Sequence, residues 1–177
     1  NNTAEGRYKN CIEYSIHIID SIISLFNSAG KEDTLFIIIG DHGESFGEHG
    51  FFKHSFSLYN SEIKVPCIMR HPSFKHKTII PFGTLLDIAP SVSDMLGVQL
   101  LNPMHGKSFF NPHYSLHVFL SSWNSGDNKG LIYKDKKFLY FSNGKKFFEM
   151  DLDDKNMKDI SQEKNADLFI KFLYHQY

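Results

Sequence analysis

The residues best suited to chemistry in this 177-residue chain form one run, Gly40-Asp41-His42-Gly43-Glu44-Ser45-Phe46-Gly47-Glu48-His49-Gly50, behind the apolar stretch Leu35-Phe36-Ile37-Ile38-Ile39. A buried strand ending in Asp-His sets a carboxylate and an imidazole side by side at its carboxyl end, where open α/β sheets bind ligands. Donors of these two kinds suit a divalent metal, and the imidazole favours zinc or manganese over magnesium. In isolation Asp-His-Gly is equally a turn after a strand. The apolar strand before it and the loop after it, rich in Gly, His and Phe, favour the metal reading for Asp41 and His42.

His54 follows Asp41 by thirteen residues. Its imidazole could donate to a substrate oxyanion or protonate a leaving group, although histidines are common in loops. Glu44 could hydrogen-bond a metal-ligating histidine. Glu48 reads as a solvated charge, and His49 is balanced between a substrate contact and an ordinary loop residue. Lys53 could meet an anionic substrate, though a solvated lysine is the simpler account. His71, His76, His105, His113 and His117 are scattered. Among them His105, in Met104-His105-Gly106-Lys107-Ser108, is the one to locate relative to the site.

The elements that must position these groups follow from periodicity. Residues 5–28 place Tyr8, Cys11, Ile12, Ile16, Ile19, Ile22, Ile23 and Phe26 at helical spacing, and Ala29-Gly30 ends the helix. Thr34 to Ile39 is short, apolar and β-branched, as expected of a strand buried on both faces of a parallel sheet. A second strand is expected at Val65 to Met69, with Pro66 at its start. Thr84 to Leu96 reads as a helix with Pro90 in its first turn, closed by Gly97. From about Asn111 short alternating runs appear: Ser115–Ser121, Gly130–Tyr133, Lys137–Phe141 and Lys146–Met150. Asn124 to Asp127, Lys134-Asp135 and Asn143-Gly144 punctuate them, and Asn-Gly is a hairpin signal. Asp151 to Asn165 is polar, and Ala166 to Tyr174 reads as a terminal helix. The fold class is therefore α/β, with helices flanking a sheet, followed by a small antiparallel sheet and a C-terminal helix.

Composition narrows the class. Hydrophobic residues are 41% and charged residues 22%, ordinary for a globular protein. A net charge of -1 excludes a strongly basic nucleic-acid footprint. Seventeen Phe and eight Tyr predict an aromatic core. Cys11 and Cys67 cannot form a disulfide framework and read as two buried thiols. No stretch approaches a membrane span. The chain opens on Asn1-Asn2-Thr3 without a signal peptide or initiator Met, which reads as the later part of a longer protein.

The ordered set of motifs resembles the sulfatase branch of the alkaline phosphatase superfamily. The matches are the helix at Ile19-Asp20, Gly40-Asp41-His42-Gly43-Glu44, Gly47-Glu48-His49-Gly50, Leu58-Tyr59 to Val65-Pro66, Leu86-Asp87-Ile88-Ala89-Pro90, Leu96-Gly97, His105-Gly106-Lys107-Ser108 and Phe148-Glu149-Met150-Asp151-Leu152. The resemblance implies the C-terminal half of an alkaline-phosphatase-like catalytic domain over residues 1–110. Residues 111–177 would then be a small α+β subdomain.

The resemblance also implies roles. Asp41 and His42 would ligate one divalent ion (calcium, zinc or manganese). His54 would contact the sulfuryl or phosphoryl group as the catalytic residue, and His49 joins it as a candidate substrate contact. Arylsulfatases usually carry Lys where His54 stands, whereas phosphoethanolamine and phosphoglycerol transferases, and some membrane sulfatases, carry His. Gly40 replaces a frequent Ser, and Asp153-Asp154-Lys155 lacks the usual Pro. Neither cysteine has the Cys/Ser-x-Pro-x-Arg context of the nucleophile, which would lie, with further acidic ligands, in a missing N-terminal half. The expected activity is metal-dependent sulfate-ester hydrolysis. The alternatives are a phosphoryl transferase or phosphodiesterase of the same superfamily, or a non-catalytic binding module. The expected partner is a sulfate or phosphate ester, with no nucleic acid and with membrane anchoring only through absent segments. The family resemblance further implies an extracytoplasmic compartment.

Overall fold

The Thr3 hydroxyl accepts the Gly6 N–H at 3.0 Å and starts helix α1, Ala4–Ser28. This computed structural model describes residues 2–80, 82–98, 104–111, 114, 117–122, 124 and 126–175. His113 and the start of the expected 115–121 strand lie outside them, as does Ser125. The apolar stripe of α1 is real but little covered: Ile12, Ile16, Ile22 and Leu25 are exposed, and only Gly6 is buried among the helix's residues. Its contacts run forward along the chain, Phe26 edge-on to Phe36 at 5.5 Å and Tyr8 against Phe46 at 5.3 Å.

Strand β1, Phe36–Ile39, leads to a hairpin of two-residue strands, β2 (Ser45–Phe46) and β3 (Phe52–Lys53). A single helical turn, α2 (Asn60–Ile63), then turns the chain back, and β4 (Cys67–Arg70) runs antiparallel to β1 with Ile37 opposite Met69. This corrects the expectation of a parallel strand buried on both faces. An apolar run reports low polarity but not strand direction, and here the returning chain pairs back on itself. Ile39 and Ile68 remain exposed, and Cys11 and Cys67 are both free and exposed rather than buried.

The expected helix at 84–96 divides into a 3-10 turn, Leu85–Asp87, and α3, Ile88–Leu96, with Pro90 in its first turn and Gly97 left-handed behind it. The buried Asp87 carboxylate accepts from Thr84, the Lys107 N–H at 2.7 Å and the Tyr114 hydroxyl at 2.6 Å. It thereby pins the 105–108 segment to the start of α3.

The remainder is an antiparallel sheet in sequence order: β5 (His117–Ser122), β6 (Asn128–Tyr133), β7 (Lys136–Phe141), β8 (Lys146–Asp151) and β9 (Lys158–Asp159). The two-residue β9 was hidden in a stretch too polar to read as a strand. At Asn143-Gly144 the chain makes a 3-10 turn, and the left-handed residue is Lys145 rather than the Asn-Gly pair. Alternation sorts the apolar side chains to two faces. Leu131, Phe147, Phe119, Phe138 and Tyr140 pack with Ala166, Phe169 and Leu173 of α4, Ala166–Tyr174. Leu139, Met150, Leu120, Phe141 and Phe148 pack instead with Leu58 and Tyr59, in front of α2. The aromatic core expected from composition is therefore in this sheet, and its second face grips the loop that carries the candidate site.

Exposed ion pairs brace the β8–β9 end. Asp159 accepts from Lys146 at 2.6 Å and from Ser161, and both hold its carboxyl below the usual range. Lys136, with Asn156, does the same for Asp151. A depressed folded pKa stabilises the fold while the carboxylate is ionised, and that contribution is lost as protonation sets in. The unfolding midpoint in urea should therefore fall with acidification below about pH 4, and Asp159→Asn should flatten that slope while lowering the neutral-pH midpoint.

Candidate active site

The ladder between β1 and β4 ends with the Gly40 N–H donating to Pro66 O at 3.2 Å, after which Asp41 and His42 leave the sheet edge. The His42 N–H donates to Asp41 Oδ1 at 2.9 Å. Backbone donation of this kind holds the Asp41 carboxyl below the usual range, with the His42 ring a smaller contributor. His42 Nδ1 lies 2.8 Å from the Gly43 carbonyl, which can only accept. Nδ1 therefore carries a hydrogen, which in the neutral ring leaves the lone pair on Nε2, with Asp41 Oδ2 3.9 Å from Nε2. A carboxylate oxygen and an imidazole nitrogen fit a divalent ion in their chemistry. Among the described residues no group of three or more His, Cys, Asp or Glu is arranged to hold one.

Gly43 explains the abruptness of this turn. Its N–H donates to Glu62 O at 2.7 Å, and a Cβ there would lie 2.0 Å from Ser61 O. No side chain fits between this strand end and α2.

His54 is brought back to the same place. Its Nδ1 lies 2.8 Å from Glu44 Oε2, and its ring stacks on His42 with centroids 4.2 Å apart. Glu44 was expected to support a metal-ligating histidine; the structure gives it to His54 instead. The carboxylate accepts from Nδ1–H and leaves Nε2 as the outward nitrogen. Lys53 and Ser55, on either side of His54, both have φ +71°. Non-glycine residues in that region cost about 1–3 kcal/mol each and collect at functional sites. The group is open to solvent, the Asp41 side chain 89% and that of His54 46% exposed.

The other candidates lie elsewhere or are differently engaged. His49 stacks flat on Tyr59 at 3.8 Å and 8°, so the packing under the C-terminal sheet sets its orientation. Glu48 accepts the Phe46 N–H at 2.6 Å, which lowers its pKa along with its own N–H; it ties the turn rather than standing free in water. The segment of His105 sits against α3, where Ser108 donates to Asp94 at 2.7 Å. His71 pairs with Asp33 at 3.1 Å, and His117 meets Phe119 in β5.

Sequence reasoning missed Glu62. It is 4% exposed, and its carboxylate accepts from the Ser57 hydroxyl at 2.6 Å, the Phe56 N–H at 3.0 Å, the Ser57 N–H at 3.2 Å and the Ser45 hydroxyl at 3.3 Å. A buried carboxylate is tolerable only with such donors. These donors flank His54 on one side and Glu44 on the other, so Glu62 fixes the distance between the two arms of the site. The available signal was the set of hydroxyls, Ser45, Ser57 and Ser61, around a lone acid, which no periodicity marks. Glu62→Ala should cost on the order of 3 kcal/mol in urea unfolding, since it strands buried donors, and Glu62→Gln should cost less because one acceptor oxygen remains.

Comparisons with known proteins place this geometry in context. An arylsulfatase of Clostridium perfringens is 23% identical over 172 residues, 89% of this chain. Phosphoethanolamine transferase EptA of Helicobacter pylori is 45% identical over 98 residues, 52% of this chain. The solved structure of a 2-O GAG sulfatase superposes with a TM-score of 0.70 at 17% identity, over 89% of this chain and 38% of that one, and so shares the mixed α/β fold. The chain spans only 36% of the arylsulfatase and 19% of the transferase. A sequence profile of the Sulfatase family matches residues 4–98, from the first turn of α1 through the strand end that bears Asp41 and His42 to the close of α3, and on that match the chain belongs to the sulfatase family.

Proposed function

We propose that this chain is the part of a metal-dependent sulfatase-like hydrolase that holds one metal edge and the His54 arm of its active site. The observation that carries the reading is the convergence of Asp41, His42 and His54, with Nδ1 of each histidine bonded inward and Nε2 left for the reaction. Asp41 and His42 would hold one divalent ion (calcium, zinc or manganese), which when bound polarises the ester and offsets its charge. In its protonated form His54 then donates Nε2–H to an oxygen of the transferring group, and Glu44, accepting Nδ1–H, keeps its ring from turning. Donors fixed in advance act most strongly on charge that develops in the transition state. The nucleophile and the remaining metal donors belong to polypeptide outside residues 1–177, so this chain alone is catalytically inert.

His54 and the 45% identity with the phosphoethanolamine transferase over 98 residues support a second reading, a phosphoryl transferase of the same superfamily. In either case the partner is a sulfate or phosphate ester. We assign residues 1–110 to the catalytic half and 111–177 to the small subdomain. The compartment is read as extracytoplasmic, because one relative is named an extracellular sulfatase. No helix of the described residues is long and apolar enough to cross a membrane.

The test is made in the protein that carries both this chain and its nucleophile. Asp41→Ala and His42→Ala should each abolish ester cleavage and lower the bound metal measured by elemental analysis. His54→Ala should lower kcat by about 10²–10⁴-fold with metal retained. Sulfate release from an aryl sulfate selects the hydrolase, and transfer of phosphoethanolamine selects the second reading. Metal-free protein without either activity leaves a binding module. Turnover by residues 1–177 alone, lost on Asp41→Ala, would overturn the claim of inertness.

A further inference from the structure

Under the second face of the C-terminal sheet lies a buried charge pair that the proposed chemistry does not use. Lys137 of β7 is fully buried and Asp154 is 6% exposed; the ammonium meets Asp154 Oδ1 directly. Both also reach α2. Asp154 Oδ2 accepts the Asn60 N–H at 2.5 Å, and Lys137 donates to Asn60 Oδ1 at 2.8 Å and to Leu58 O at 3.5 Å. Asn60 Nδ2 donates in turn to Leu152 O at 2.6 Å. Burial pushes the Lys137 ammonium down, and Asp154 opposes that push. Asp154 holds this position at φ +63°, a backbone conformation that L residues rarely adopt.

Asn60 begins the turn whose third residue is Glu62. Glu62 holds Phe56 and Ser57, next to His54, through its carboxylate, and holds Gly43, next to His42, through its carbonyl. We infer that Lys137 and Asp154 are positioning residues for the site: by seizing both the backbone and the side chain of Asn60, they set α2 and hence the placement of His54 against His42. The role of His54 in ester cleavage rests on the proposed function, whereas the coupling itself does not. A buried ion pair is replaceable by apolar residues with little loss of stability. Stability therefore does not account for a pair that also makes two bonds to the first residue of this turn and a third to Leu58 ahead of it.

The experiment compares two double variants of this chain, neither of which leaves an unpaired buried charge. Lys137→Met with Asp154→Asn keeps an acceptor for the Asn60 N–H; Lys137→Met with Asp154→Leu removes it. Imidazole nitrogen resonances report the His54 Nδ1–H bond to Glu44, with His71 and His117 as internal controls, and urea unfolding is measured alongside. The first variant should keep the His54 resonances of the parent. The second should shift them to those of a free histidine, with the controls unmoved. Should either double variant fail to fold, Asn60→Pro decides: it deletes the same N–H at a helical position that tolerates proline, and His54 should be released. His54 resonances that stay at their parent values in the Leu variant or in Asn60→Pro would overturn the inference. Absence of ester cleavage in the whole protein would overturn the proposed function instead and would leave these resonances as they are.

Discussion

A carboxylate withdrawn from water must find a donor for every lone pair it can offer, and Glu62 meets that demand by drawing two loops together. Without it the 41–46 segment and the 52–57 segment would share a hairpin of two residue pairs, the exposed His54–Glu44 bond and the stacked histidine rings. A hairpin so short is marginal in water. With it, one anion collects two backbone N–H groups and two hydroxyls, and its own carbonyl takes the Gly43 N–H. The strained backbone at Lys53 and Ser55 is held against this anchor, and the close contact at Gly43 is its steric counterpart.

Legibility from sequence followed the range of the interaction. The limits of α1 and α4, the end of α3 and the β6–β8 meander were readable because periodicity and caps are local. Asp41, His42 and His54 were readable as chemical types, and the structure brings them together. What escaped depends on partners distant in the chain. The Glu62 carboxylate acts on Ser45, 17 positions away, and the Lys137–Asn60 bond spans 77 positions. The direction of β1 escaped because an apolar run carries no sign of its neighbour. Glu44 was readable as the partner of some histidine, but not of which one, because it is the hairpin that returns His54 to it.

The C-terminal sheet is more than an appendage to the region that carries β1 to β4. Its outer face is closed by α4, and its inner face receives Leu58 and Tyr59, with His49 stacked on the same Tyr59 ring. Three successive residues, Leu58, Tyr59 and Asn60, therefore belong by packing to the sheet and by sequence to the loop of the site. The chain's two regions meet at this junction, where Phe51 and Ile63 pack into the same apolar cluster.

The two sheets differ in what they offer at their borders. The C-terminal sheet finishes at β9, two residues long, where Lys158 and Asp159 stand in place of apolar side chains. Short charged margins of this kind refuse a further strand and guard against edge-to-edge aggregation. Among the described residues, β1 and β4 pair only with each other and carry Ile39 and Ile68 in the open. Backbone recruited to extend a sheet of this protein is thus turned away at β9 and met instead by the β5 edge or by the apolar ladder that ends in Asp41.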